Sequence, residues 1–240
     1  MGRAGAFWAQ MQDEASAWGV SPRLARWLFL MPFVGSVLVV ASRANKAVFR
    51  AIVDEDRLLE WLQVAGFAAA SVLAFACAWL LLGQERRALA LAYALFGLLC
   101  FFIAGEEIAW GQRLFGFGTP EGLEEINRQE EVTVHNIGDV ENLGNAVFLL
   151  VGLYGSVGAC LIRLRARRPS DDVLDLLVPP LFLTSAFFVI FAYKLLRYTL
   201  FPESGFTVTQ IGEWPEFCLA FAFAAYAFLV RRRLVARARE

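Results

Sequence analysis

The sequence predicts an all-α integral membrane protein: a bundle of about six transmembrane helices, with an N-terminal interfacial helix and a short amphipathic surface helix. Three observations predict it. First, 58% of the 240 residues are hydrophobic and 19% are charged, whereas a soluble globular chain is nearer half apolar and a quarter charged. Second, the apolar residues gather into segments of the length a helix needs to cross the hydrocarbon layer, ~20 residues. Third, the charge lies between those segments. It is densest in one polar island, Gly105 to Asn145, which holds nine acidic residues, two arginines and the only histidine, His135. One membrane domain spans 1–240.

At the N-terminus, Phe7, Trp8, Met11, Ala15 and Trp18 recur at helical spacing, and Asp13 and Glu14 interrupt the run. A cleavable signal would continue as apolar sequence. An amphipathic helix lying in the membrane interface is expected instead, with its tryptophans at headgroup depth. The first crossing, 24–41, contains Pro32, which kinks a helix and frees a carbonyl that neighbours must satisfy. The charged stretch 43–60 is expected to run on as helix into the second crossing, 61–83. After the turn GQERR, the third crossing, 88–105, leads into the island. The fourth, 146–164, ends at the charged loop RLRARRPSDD. The fifth, 173–198, has Pro179 and Pro180 near its start and Lys194 and Arg197 near its end. The sixth, 211–230, is followed by the basic tail RRRLVARARE.

Six crossings put both termini on one side. Fourteen of the 22 lysines and arginines fall on that side and 8 on the other, while the acids divide 7 and 16. Basic loops stay in the cytoplasm. The termini are therefore expected in the cytoplasm of a bacterial cell and the island outside the inner membrane. Cys77, Cys100, Cys160 and Cys218 all sit inside apolar runs, which points to neither a disulfide framework nor a zinc cluster. No Walker loop, GxSxG elbow, HExxH or dinucleotide fingerprint occurs, and nothing points to nucleic acid.

The island carries the residues that could do chemistry. If the third helix continues, Glu106, Trp110 and Arg113 share a face, with Glu107 on the next stripe. Two carboxylates at the membrane edge call for water, a cation or a basic partner. Thr119-Pro120-Glu121 reads as a helix start, with Thr119 as N-cap. Glu121, Glu124 and Glu125 read as a solvated face. Val132-Thr133-Val134 is β-branched and expected to be extended. It delivers His135 and Asn136 to the fourth helix, with Asn136 as its N-cap. Lys194 with Arg197, and Glu213 with Glu216, are each three residues apart and on the same side of the membrane. A six-helix bundle could close Glu106, Glu107, Arg113, His135, Lys194, Arg197, Glu213 and Glu216 into one pocket.

The segments EEIAWGQRLFGF, TPEGLEEINRQEE and the later HN pair resemble a group of bacterial multi-pass membrane proteins marked by EExxWGQR. The resemblance covers 105–136 and implies a membrane fold without assigning an activity. The single histidine separates the chain from alkaline ceramidases and membrane desaturases, which use several.

Three functions stay open. In the first, the cluster is structural or binds a membrane-protein partner; base rates favour this reading slightly. In the second, it is a hydrolase or transferase on a lipid or polyprenyl-linked substrate. Glu106, Glu107 and His135 would then be catalytic, and Trp110, Gln112, Arg113, Asn136, Lys194 and Arg197 would hold the substrate. Glu106, Glu107, His135 and Glu216 would hold Mg²⁺, Mn²⁺ or Fe, since one histidine among carboxylates suits these better than Zn²⁺. The third, a transporter, requires polar groups at mid-membrane, and the helix centres are almost wholly apolar.

Overall fold

Helix follows the apolar segments throughout. The computed structural model describes residues 3–54, 57–127, 131–134, 137–165, 172–201 and 205–238, and among them helix is the regular structure. The order is α1 (Arg3–Ala17), α2 (Pro22–Ser42), α3 (Lys46–Val53), α4 (Leu58–Gly83), α5 (Arg87–Glu107), α6 (Gln112–Phe115), α7 (Glu121–Glu124), α8 (Gly138–Leu153), α9 (Ala159–Arg165), α10 (Asp172–Leu177), α11 (Thr184–Thr199), α12 (Phe206–Ile211) and α13 (Glu213–Arg237). A π-helical turn, Tyr154–Gly158, joins α8 to α9. Among the described residues, five runs are long and apolar enough to cross a membrane: Pro22–Ser42, Lys46–Gly83, Arg87–Glu107, Gly138–Arg165 and Val173–Thr199. The sixth expected segment lies in α13, a 25-residue helix with Glu213 and Glu216 in its first turns and Arg237 in its last.

Helix α4 packs along both α5 and α13, and α11 packs on α8 and α13. Aromatic rings fill the centre: Phe96 and Phe223 stand edge to face at 4.9 Å, with Phe67 6.3 Å from Phe223. Gly35 lets α2 approach α13, because a Cβ there would meet the Trp214 ring at 1.8 Å. The indole N–H of Trp214 donates to the Pro32 carbonyl at 3.0 Å.

Several boundaries differ from expectation. The 43–60 stretch does not run on as one helix: α3 ends at Val53, Asp54 is extended, and α4 begins at Leu58 after an extended Arg57. The fourth helix begins at Gly138, with Ile137 in the N-cap position, eight residues before the expected crossing. Asn136, the expected cap, lies outside the described residues. The fifth crossing is broken. Helix α10 stops before Val178-Pro179-Pro180, and a 3₁₀ turn, Leu181–Leu183, precedes α11. Proline lacks the N–H and clashes with the preceding turn, so the helix cannot continue through the pair.

A helix ending inside a bundle leaves carbonyls that other groups must satisfy. Here side chains do so. Tyr226, Tyr93 and Tyr154 donate their hydroxyls to the carbonyls of Asp175 (2.9 Å), Leu176 (2.8 Å) and Leu177 (2.9 Å). The Arg163 guanidinium donates to those of Val178 and Pro179.

Arg163 was expected at a loop edge; it is instead 3% exposed. It pairs with Glu14 at 3.1 Å and Asp175 at 2.6 Å, and Asp175 also binds Arg233. Trp18, expected among lipid headgroups, is 2% exposed and lies under the Arg233 guanidinium at 3.6 Å. The N-terminal helix is thus clamped to the bundle by Met11, Ala15 and Trp18, which are buried. Burial pushes the Glu14 carboxyl up to about 7, against the pull of Arg163 and of the Leu181 N–H that it accepts at 2.8 Å.

Candidate functional site

The expected pocket divides into two sites at the loop end of the bundle, and the division begins between neighbouring residues. Successive residues on a helix point about 100° apart. Glu106 faces the island loop, whereas Glu107, the last residue of α5, faces the other helices.

Glu106 is 5% exposed. One oxygen accepts the Trp110 indole N–H at 2.6 Å, and the other accepts the Val134 backbone N–H at 2.7 Å. The helix does not continue to Arg113 as expected. It ends at Glu107, and Ala109, Trp110 and Gly111 take left-handed backbone at φ 45, 52 and 85°. That turn folds the indole back over Gly105, where a Cβ would meet it at 2.7 Å. The ring also packs on Phe101 and Phe102 at 6.0 and 5.7 Å. Left-handed backbone at two residues with a Cβ costs ~1–3 kcal/mol each, so the surrounding contacts must hold it.

Gln112 makes a second clamp. Its Oε1 accepts the Val132 N–H at 2.7 Å, and its Nε2 donates to the Thr119 hydroxyl at 2.7 Å. Thr119 therefore does not cap α7: Pro120 occupies the N-cap position, and α7 is a single turn. Asn127 adds a third tie, donating to the Thr133 carbonyl at 2.6 Å. Val132 to Val134 thus lie along the loop as a non-helical strap, as their β-branching suggests. Glu121, Glu124 and Glu125 are exposed, as expected. His135 and Asn136 lie outside the described residues, and the placement of the Arg113 side chain is likewise outside them.

Glu107 belongs to the second site. It lies in the electrostatic field of Glu216, Glu213, Glu60 and Lys194. Lys194, 6% exposed, donates to Glu216 at 2.8 Å and to the Asn145 side-chain oxygen at 2.7 Å. Its ammonium also sits 5.3 Å from the Phe148 ring centre. Glu213 accepts the Gln63 side-chain N–H at 2.8 Å. Arg197, expected beside Lys194, turns back to donate to the Phe201 carbonyl at the end of its own helix, 2.7 Å away. Glu107, Lys194, Glu213 and Glu216 are therefore brought together, joined by Glu60 and Gln63. Gln63 was missed because one amide in an apolar helix gives no pattern; its position one turn after Glu60 was the available signal.

Among the described residues, no three His, Cys, Asp or Glu side chains are placed to hold a metal ion. Of the expected metal ligands, Glu106 points into the loop, while Glu107 and Glu216 face the helix cluster. A cavity of about 260 Å³ lies elsewhere in the bundle, among Tyr93, Phe96, Val151, Tyr154, Phe187 and Phe223, and its lining is apolar. Comparison with protein-family models, curated proteins and solved structures finds no match to this chain.

Proposed function

We propose that the chain is a multi-pass protein of a bacterial inner membrane whose outer loop is a preformed, non-catalytic platform for a membrane-protein partner. The observation that supports this reading is the use of Glu106. Both of its oxygens accept hydrogen bonds that fold the loop, from Trp110 and from the Val134 backbone. A carboxylate held in this way serves as a clamp. Gln112 repeats the arrangement two residues away in the strap, at Val132.

Between the clamps the loop presents apolar side chains. Phe115 is 81% exposed, and Leu114, Phe117 and Ile126 are exposed beside it. Glu121, Glu124 and Glu125 supply charge at the rim. An apolar centre with a polar rim is the anatomy of a protein interface. The excess of lysine and arginine on the terminal side supports an orientation with both termini in the cytoplasm and the loop outside.

A photo-crosslinking residue at Phe115 in native membranes tests the platform. A discrete protein adduct is expected, lost in Glu106→Ala and kept in Glu124→Gln. Lipid adducts alone, or an undiminished yield from Glu106→Ala, would contradict the reading. Reporter fusions at Gly122 and at the C-terminus test the orientation, and a cytoplasmic Gly122 would overturn it.

A further inference from the structure

Gln63 is 0% exposed, one turn after Glu60 on α4. Its Nε2 donates to the Glu213 carboxylate at 2.8 Å and to the Glu213 carbonyl at 3.1 Å. Among the described residues, its Oε1 is buried without a hydrogen-bond partner. A buried acceptor left unmade costs ~1–3 kcal/mol, which a donor arriving there would recover.

The side chains around Gln63 are carboxyl groups. Glu213 touches it, and Glu107, Glu216 and Glu60 share the same electrostatic neighbourhood. The ammonium at this site, Lys194, is already held by Glu216, Asn145 and the Phe148 ring. The missing partner is therefore a hydrogen-bond donor, and the carboxyls of Glu213 and Glu107 favour a positive one. A bare metal ion needs several ligands converging on one point, and the described residues offer no such group. A primary ammonium spreads three N–H donors toward acceptors that stand apart, as Lys194 does next door. The site is formed by the first two turns of α4, the last turn of α5 and the first turn of α13. On the topology proposed above, these helix ends stand at the bilayer edge, at the depth of lipid headgroups.

We propose that Gln63 Oε1, Glu213 and Glu107 form a binding site for a primary ammonium, carried by a phospholipid headgroup or by a soluble amine.

The test is thermal unfolding of the purified chain in detergent, titrated with ethanolamine or with choline at equal ionic strength. Choline has the same charge and no N–H. A saturable rise in the midpoint, on the order of 5 °C, is expected with ethanolamine and absent with choline. A parallel arm compares nanodiscs of phosphatidylethanolamine with nanodiscs of phosphatidylcholine. Stabilisation by the lipid but not by free ethanolamine supports the site with the headgroup as its source; a response to both supports it with the amine alone sufficient. Gln63→Met should abolish the response. If that variant does not fold, Glu107→Gln should weaken the response at least tenfold in midpoint concentration. Equal effects of choline and ethanolamine with no preference between the lipids, no effect of any of the four, or a full response in Glu107→Gln would overturn the proposal, leaving protons to neutralise the carboxylates.

Discussion

The two ends of the bundle bury charge in different ways. At the terminal end, Glu14 and Asp175 face Arg163 and Arg233, and the arginines reach further to the carbonyls of Val178, Pro179 and Ala17. Acids and bases are equal in number, and backbone groups take the remaining donors. At the loop end, Lys194 stands among Glu107, Glu213, Glu216 and Glu60, and among the described residues the buried Gln63 oxygen has no donor. Taking charges out of water is repaid only when pairing and hydrogen bonding are complete. The terminal end pairs both of its buried acids with guanidinium groups, which fixes how α1, α9, α10 and α13 fit together. The loop end keeps acceptors in excess, which is the character of a place where something else binds.

The largest effect should come from breaking the paired end. Arg163→Met removes the cation between two buried carboxylates and uncovers two carbonyls. The loss should be about 3–5 kcal/mol, read as a lower unfolding midpoint in detergent. A smaller change would mean that the network is not closed.

Next comes the pH dependence of Glu14. Burial holds its folded-state value near 7 against an ordinary 4.5. The folded state therefore binds the proton that the unfolded state has lost. Stability should fall as pH rises from 4.5 through 7 and level off above that. At ~1.4 kcal/mol per unit the whole shift amounts to about 3 kcal/mol. Glu14→Gln should flatten this slope.

Glu106→Ala should act locally. It leaves the Trp110 indole and the Val134 N–H, both half-buried, without their acceptor, at ~1 kcal/mol for each lost hydrogen bond. The loop should open to proteolysis between Gly116 and Val134 while the helices stay folded. The smallest effect belongs to Glu124→Gln on the exposed turn, within about 0.5 kcal/mol. A larger value there would blur the line between rim and clamp.

The membrane helices were legible because hydropathy over ~20 residues is a strong signal. The proline pair marked the break before α11. The identity of the groups that cap the broken end was not readable, because Tyr93, Tyr154, Arg163 and Tyr226 reach it from three other helices. The terminal cluster was hidden for the same reason: Glu14, Arg163, Asp175 and Arg233 lie far apart in the chain, and each looks like an ordinary charge near a helix end. Glu106 and Glu107 were visible as a pair, but adjacency in sequence suggested one site where helical rotation makes two. The convergence of Lys194 with Glu216 followed from topology, since both sit at helix ends on one side. The turning away of Arg197 did not, because it depends on the local end of α11.

The division of that carboxylate pair is tested most directly by amide hydrogen exchange at Val134 in the wild type, Glu106→Ala and Glu107→Ala. A clamp at Glu106 predicts a protected Val134 amide in the wild type and in Glu107→Ala, and rapid exchange in Glu106→Ala alone. Equal loss of protection in both variants, or an unprotected amide in the wild type, would contradict it.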